Sequence, residues 1–216
     1  VQLKFFKDII QEYKVLTISN EYLEQIKKAK DVLSKDIKDH IGKNENGNYI
    51  ISSFNEEGTI IKNEDSANIL ALCHIDFDDE ILEIFNIESI LQTTNKLLNY
   101  SENKYGEQIN LIGRYINDKY YDGHIWIICS LAMAQVYLEI YKRRNKTIKR
   151  SSMDRATSNP NNDLFLISNE ILEKILSLDV DFILPEQFNP ITSKYYSAEK
   201  LTWNYAELYV LIQNLN

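Results

Sequence analysis

The sequence predicts an all-α protein, and three features of its composition support that fold class. Its 216 residues include only six glycines and three prolines, too few for the turns of a β-sandwich or barrel. Leu, Ile, Lys and Glu are abundant, which favours long helices. Several segments repeat apolar residues at intervals of three and four, the period of an amphipathic helix. A chain of this length buries one sizeable core, so we expect a single domain over residues 1–216.

Four of about seven predicted helices precede residue 100. The first carries its apolar stripe on Phe5, Ile9 and Tyr13, and the second is capped by Ser19 or Asn20. In chain order the four helices cover residues 1–14, 20–37, 65–71 and 79–99. Between the second and third, we expect a turn at residues 44–48. We also expect a small hairpin in which extended runs at 49–51 and 59–61 flank Glu56-Glu57-Gly58.

Three more helices are predicted in the second half of the chain. They cover residues 126–141, 169–178 and 202–213. Residues 100–125 are polar and aromatic and too long for a mere connector, and loops of that length are often functional. Residues 142–163 are polar without helical periodicity, so we expect a flexible excursion there. The pattern predicts helices packed in pairs but does not separate a bundle from a toroid.

Charge and composition narrow the function classes. The net charge of −8 gives no electrostatic reason to bind nucleic acid, so we expect a neutral or polar substrate. No apolar run approaches the roughly 18 residues of a membrane span, and no signal-peptide pattern opens the chain. Cys73 and Cys129 either form one bridge or stay as two buried thiols. The histidines are widely spaced and no CxxC occurs, so we expect neither a metal site nor a cofactor.

Three stretches carry the chemistry of the chain: residues 113–126 (GRYINDKYYDGHIW), 185–188 (PEQF) and 196–206 (YSAEKLTWNYA). They resemble glucoamylases, the starch-degrading members of glycoside hydrolase family 15. The corresponding family patterns are Gly-Arg-Tyr-x-x-Asp-x-Tyr-x-x-Gly-Asn-Pro-Trp, Ser-Glu-Gln-Tyr/Phe and Leu-Ser-Ala-Arg-Asp-Leu-Thr-Trp-Ser-Tyr-Ala. A weaker match, residues 65–70, resembles Asp-Ala-Asn-Thr-Leu-Leu. The resemblance covers residues 60–213 and is looser towards the N-terminus, and its ordered motifs make it specific.

The resemblance implies an (α/α)6 toroid and inverting exo-hydrolysis of α-1,4-glucosidic bonds, which releases β-D-glucose from the non-reducing ends of starch-like glucans and malto-oligosaccharides. Such an enzyme needs two carboxyl groups about 6.5–9.5 Å apart, one as acid and one as base. By resemblance Glu186 is the general base and Ser197 orients it. The predicted sugar-binding residues are hydrogen-bonding or aromatic, namely Arg114, Tyr115, Asp118, Trp126, Gln187 and Trp203.

The chain also departs from the family. His124-Ile125 replaces the Asn-Pro of the first motif. The general acid of the family lies in a Leu-Trp-Glu-Glu type motif, which occurs nowhere in this sequence. We therefore expect the chain to be the C-terminal portion of the catalytic domain, with its acid in a missing N-terminal half and with little hydrolysis of its own. By resemblance the protein is secreted or vacuolar.

Other readings stay open at this point. One alternative is that the site is degenerate and the chain is a non-catalytic glucan-binding or regulatory module. Another is that the chain is a related (α/α)6 hydrolase that acts on another glucoside such as trehalose. A truncated product that barely folds is a further alternative. Individual residues also have structural alternatives: Trp126 and Trp203 as core, Arg114 as a structural salt bridge, and Glu186 as a surface charge.

Overall fold

The computed structural model describes the chain apart from residues 1, 14, 17, 45–46, 63, 76, 108, 152–160, 179–181 and 216. Its described residues form eight α-helices and seven short strands, which confirms the all-α fold class. The helices are α1 (Gln2–Glu12), α2 (Asn20–Asp39), α3 (Ser66–Cys73), α4 (Asp79–Phe85), α5 (Ile87–Tyr105), α6 (Ile127–Ser151), α7 (Asn161–Ser177) and α8 (Thr202–Leu215). The strands are β1 (Ile41–Asn44), β2 (Gly47–Ile50), β3 (Ser53–Phe54), β4 (Ile60–Lys62), β5 (Ile125–Trp126), β6 (Gln187–Asn189) and β7 (Lys194–Tyr196).

The chain folds into two compact units, Val1–Asn63 with His74–Gln92 and Glu64–Cys73 with Thr93–Asn216. In the first unit α1 packs on α2, and α2 packs on α4. Leu3, Leu23 and Ile81 are buried side chains of these three helices. A single domain over the whole chain stays a prediction. The three motifs that carry the chemistry all lie in the second unit.

Helix α6 forms the centre of the second unit. It packs against α3, α7 and α8, so it must be apolar on several sides rather than along one stripe. Its first half meets that requirement with side chains that are fully buried: Ile127, Leu131, Ala132, Met133 and Ala134. The burial of such a run provides a rigid base for the loops at its N-terminal end.

Helix α6 ends at Ser151, ten residues later than predicted, and α7 already begins at Asn161. The predicted flexible excursion is therefore wrong for residues 142–151 and 161–163, and its middle, 152–160, lies outside the described residues. Lys and Arg are good helix formers and continue the helix without an apolar stripe. An i,i+4 pair from Arg143 Nε to Glu139 Oε1 at 2.6 Å supports the extension. In the described part of the chain, no helix combines the length and apolar character needed to cross a membrane.

The single helix predicted over residues 79–99 is two helices, α4 and α5, separated by Asn86. Asn86 has φ 48°, in the left-handed region that Asn tolerates better than most residues. Its side-chain Oδ1 accepts a 2.8 Å hydrogen bond from the Ser89 N–H, which caps the start of α5. The apolar period continues across the break, which is why periodicity alone missed it.

The strands of the first unit form two hairpins rather than the one predicted. β1 pairs with β2, and β3 pairs with β4, both antiparallel. The turn at Glu56-Glu57-Gly58 is present, but its strands are β3 and β4, so the predicted pairing of 49–51 with 59–61 is wrong. The turn expected at 44–48 falls partly outside the described residues. Strands this short carry too little alternation to fix their partners from sequence.

Candidate active site

A small antiparallel sheet joins the three motifs. Its strand order is β5-β6-β7, and each strand comes from a different motif. Trp126 of the first motif pairs with Gln187 of the second, which in turn pairs with Tyr196 of the third. The sequence did not predict this sheet, because its strands have two or three residues and lie far apart in the chain.

The first turn of α8 holds the segment that precedes Glu186. Asn204 Nδ2 donates to the carbonyls of Leu184 at 3.2 Å and Pro185 at 2.7 Å. The Tyr205 hydroxyl accepts from the Leu184 N–H at 3.1 Å. Asn204 is fully buried, so these bonds lie away from water and fix the backbone beside Glu186 firmly.

Glu186 lies half-buried between this segment and the third motif. Its N–H donates to the Ala198 carbonyl at 2.7 Å, and its Oε2 accepts a hydrogen bond from Ser197 Oγ. Ser197 has φ 63°, a left-handed conformation that costs energy for any residue with a Cβ. The backbone thus places the serine hydroxyl against the carboxylate, the arrangement expected of a base and its orienting group. Their catalytic roles stay predictions.

Tyr120 extends this contact to the first motif. Its hydroxyl lies 3.1 Å from Ser197 Oγ. A serine hydroxyl has one proton, and Ser197 donates it to Glu186, so Tyr120 must be the donor to Ser197. A chain of donors, Tyr120 to Ser197 to Glu186, therefore ends on the carboxylate. Tyr120 is absent from the predicted site residues, although it occupies the position of the second tyrosine in the first family pattern.

Arg114 and Asp118 form a two-point ion pair at one end of the same loop. Arg114 Nε donates to Asp118 Oδ2 at 3.0 Å and Nη2 donates to Oδ1 at 2.8 Å. The Asp118 side chain is 1% exposed, and the Tyr120 N–H also donates to its Oδ1 at 3.0 Å. Burial alone raises the pKa of Asp118, but hydrogen bonds from Arg114 and Tyr120 and the Arg114 charge lower it overall. The geometry therefore has Asp118 orienting Arg114, and its predicted contact with sugar stays a prediction.

Aromatic rings surround the Arg114 guanidinium. Its central carbon lies 4.8 Å from the ring centre of Tyr115, 5.4 Å from that of Tyr120 and 4.9 Å from that of Trp126. Such contacts stabilise a cation and fix its plane. The hydrogen bonds to Asp118 further raise the pKa of Arg114, so its charge is constant. The predicted residues Arg114, Tyr115, Asp118 and Trp126 thus form one cluster.

The weaker fourth motif, residues 65–70, contacts the backbone of that cluster. Ser66, at the start of α3, donates both its N–H and its Oγ to the Arg114 carbonyl at 2.8 Å. Asp65 pairs with Tyr115 as an isolated antiparallel bridge. The helix start that the 65–70 resemblance predicts is therefore in contact with the loop of the first motif.

Gln187 is a buried residue of β6. It is fully buried, whereas Glu186, which precedes the strand, is half-buried. Among the described residues, neither amide atom of Gln187 has a hydrogen-bond partner, nor does the buried Nε1 of Trp126. The predicted sugar contact of Gln187 stays a prediction, and its burial argues against it.

Trp203 lies on α8 with 48% of its surface exposed. Its indole Nε1 donates to Glu207 Oε1 at 3.2 Å, one helical turn later. Glu207 is only 6% exposed, and its Oε2 accepts from Gln135 Nε2 of α6 at 2.7 Å. Sequence reasoning missed Glu207. The signal that could have found it is a charged residue that shares the buried face of α8 with Asn204, Leu208 and Leu211.

His124, a departure from the family pattern, is packed into the loop rather than exposed. Its Nδ1 hydrogen-bonds with the Tyr105 hydroxyl at 2.8 Å, and its ring centre lies 4.5 Å from that of Tyr196. Burial lowers the pKa of His124, and the nearby Lys104 charge lowers it further. The side chain therefore fills the space under β7 as a neutral ring.

Both cysteines are free thiols. Ser66 Oγ lies 2.9 Å from Cys129 Sγ, and Cys73 Sγ lies 3.6 Å from the Ala132 carbonyl. Burial raises the pKa of Cys129 to about 12 and raises that of Cys73 as well. Of the two possibilities the sequence left open, the structure has two protonated, unreactive thiols. No group of three or more His, Cys, Asp or Glu side chains in the described ranges could hold a metal ion.

An all-α protein with a half-buried, serine-bonded carboxylate beside an arginine–aromatic cluster has the features of a carbohydrate-active hydrolase. The sequence model of glycosyl hydrolases family 15 matches residues 7–213, nearly the whole chain. The chain belongs to glycoside hydrolase family 15, and hydrolysis of glycosidic bonds is the activity of that family. Comparison with curated proteins and with solved structures gave no significant match.

Proposed function

We propose that this chain is the base-bearing part of an inverting glucan 1,4-α-glucosidase that releases β-D-glucose from the non-reducing ends of starch-like glucans. Glu186 is the general base. The observation that supports this assignment is the hydrogen bond that Ser197 Oγ donates to Glu186 Oε2, with Tyr120 behind it. The bond fixes one carboxylate oxygen, so the other can be aimed at a water molecule, from which it takes a proton as the water attacks the anomeric carbon.

Sugar recognition falls to the cluster around Arg114. Asp118 takes two guanidinium donors and fixes the plane, and the Tyr115 hydroxyl accepts a third at 3.2 Å, so two of the five donors can be directed at glucose hydroxyls. The faces of Trp126 and Tyr115 are turned towards Arg114, which leaves Trp203 as the more open aromatic surface of the predicted set. We therefore assign Arg114 to polar recognition and Trp203 to stacking against a pyranose ring.

The general acid is proposed to lie in an upstream segment of the same (α/α)6 catalytic domain. Neither tryptophan here is followed by the acidic pair of the family motif, since Ile127 follows Trp126 and Asn204 follows Trp203. Glu207 is not placed for the role, because it is buried and both of its oxygens accept hydrogen bonds. A secreted or vacuolar location is part of the same proposal.

Titration of the 216-residue chain with maltotriose, followed by NMR, tests the proposal. We expect binding that Arg114→Lys weakens by about tenfold, because lysine lacks the two-point geometry. The matched variant Arg143→Lys, on α6, should bind as the parent does. We expect no glucose from this chain, so its release would contradict the placement of the acid. Equal binding by Arg114→Lys would contradict the role of Arg114.

Two related assays distinguish the proposed function from its alternatives. Sugar binding without turnover by the complete product of the reading frame would favour a non-catalytic glucan-binding module. Faster turnover of trehalose than of maltotriose would favour a different glucosidase of this fold. A chain that fails to fold would support neither assignment and is recognised by its circular dichroism before any sugar is added.

A further inference from the structure

Glu207 is a carboxylate in an unusual place. It is 6% exposed on α8, where the other buried residues are Asn204 and the apolar Leu208 and Leu211. Glutamate is almost never this buried without partners, because removing its charge from water is costly. An apolar side chain would fill the same position without that cost, so the carboxylate calls for a reason other than packing.

The two oxygens of Glu207 connect the core to the surface. Oε2 accepts from Nε2 of Gln135, a 4% exposed side chain of the central helix α6, at 2.7 Å. Oε1 accepts from Nε1 of Trp203 at 3.2 Å. One end of this chain of contacts is therefore fixed in the packed core, and the other end is a half-exposed indole.

These contacts fix the orientation of the Trp203 side chain. An indole has a single N–H donor, and that donor is held by a buried acceptor, so the exposed part of the ring is carbon surface. An exposed side chain that is ordered only on binding costs about 0.5–1.5 kcal/mol of binding free energy, and fixing it beforehand avoids that cost. A flat, immobile carbon surface is what a pyranose ring needs for stacking.

We propose that Glu207 is a positioning residue that holds the Trp203 indole as a preformed platform for a sugar ring of a glucan. The assignment rests on the proposed glucan-binding function. It concerns a residue that follows the third motif and belongs to none of the three. Glu207 does not touch the sugar itself, so its effect passes entirely through Trp203.

The first test measures the indole directly. The chain has two tryptophans, so its ¹H–¹⁵N spectrum has two indole N–H signals, which Trp126→Phe assigns. We expect the Trp203 N–H signal at low field and protected from exchange. Glu207→Leu should move it upfield and remove the protection, and the Trp126 signal should stay in place. Glu207→Gln keeps a neutral acceptor and should give an intermediate position, which provides the answer if the leucine variant does not fold.

The second test measures maltotriose affinity in the same variants. Glu207→Leu should bind about two- to tenfold more weakly, the factor that corresponds to ordering one side chain on binding. Glu207→Gln should fall between it and the parent, and the exposed control Glu199→Gln should match the parent. Unchanged indole signals in both Glu207 variants overturn the proposal whatever the affinities are.

The two tests also separate this proposal from the function on which it rests. If the parent chain binds no maltotriose while the indole signals shift as expected, the glucan platform fails together with the proposed function. If the parent binds maltotriose and every Glu207 variant binds equally well, the platform role of Glu207 is wrong and the proposed function stands.

Discussion

Replacing Asp118 by asparagine tests how the Arg114 guanidinium is held in place. The substitution keeps the shape of the side chain and an acceptor for the Tyr120 N–H, which is bonded to Oδ1. It removes the negative charge and turns an amide NH₂ group towards the Arg114 donor that Oδ2 now accepts at 3.0 Å. Two donors then face each other across a buried contact, which is unfavourable.

The size of the effect follows from the burial of the two partners. Removing one partner of a fully buried pair costs about 3–5 kcal/mol, and exposed pairs contribute only about 0.2–1 kcal/mol. Here the carboxylate is 1% exposed while the guanidinium side chain is 32% exposed, so the pair lies between these limits. We expect a loss of about 2 kcal/mol in the free energy of unfolding, or about 4–8 °C in Tm for a chain of this size.

Thermal unfolding followed by circular dichroism measures the change. The matched control is Asp122→Asn, which removes an exposed carboxylate from the same loop and should leave Tm within about 1 °C, as surface substitutions usually do. Equal Tm values for the Asp118 and Asp122 variants would refute the view that a buried carboxylate holds Arg114.

The pH dependence of this difference has a defined sign. The pKa of Asp118 is lower in the folded chain than its ordinary value, so the unfolded chain binds a proton more readily. Its stabilisation is complete above the ordinary Asp pKa of about 3.9 and is lost as pH falls through the lower folded value. The difference in stability between parent and Asp118→Asn should therefore be constant from pH 7 to about 5 and shrink below about pH 4. A difference that grows on acidification would contradict it.

Three further predictions follow from the same contacts. In the complete product of the reading frame, Ser197→Ala should lower kcat about tenfold with little change in KM, because it frees the base without touching the sugar; an unchanged kcat would contradict this. Asn204→Ala removes two buried hydrogen bonds to the segment before the base and should cost about 2 kcal/mol of unfolding free energy in urea, whereas the exposed Asn214→Ala should cost almost nothing. A thiol reagent at pH 8 should leave Cys73 and Cys129 unmodified in the folded chain and modify both in urea, because burial raises both pKa values; rapid reaction of the native chain would contradict this.

The sequence predicted the starts of α2 and α8 well. Ser19 Oγ accepts from the Tyr22 N–H at the start of α2, as its position in the sequence suggested, and α8 begins at Thr202 as predicted. Where the signals conflict, prediction failed. Asn86 breaks a continuous apolar period with one left-handed residue, and residues 142–151 stay helical without any apolar stripe.

The motifs predicted individual site residues but not most of the contacts between them. The motifs named Glu186 with Ser197 and Arg114 with Asp118, and each pair is hydrogen-bonded in the structure, while their roles stay predictions. No local pattern, however, encodes contacts between residues that lie far apart in the sequence. The Tyr120–Ser197 contact spans 77 positions and the Gln135–Glu207 contact spans 72. Such pairs are set by the packing of α6, α8 and the three-stranded sheet, which periodicity does not describe.

The anomeric form of the first product distinguishes an inverting glucosidase from a retaining one. The complete product of the reading frame is incubated with maltotriose, and the anomeric proton signals of glucose are followed by NMR before mutarotation equilibrates them. We expect that β-glucose appears first, that Glu186→Gln abolishes its release, and that the exposed control Glu199→Gln does not. Release of α-glucose first, or unchanged release by Glu186→Gln, would contradict the assignment of Glu186 as the base of an inverting glucosidase.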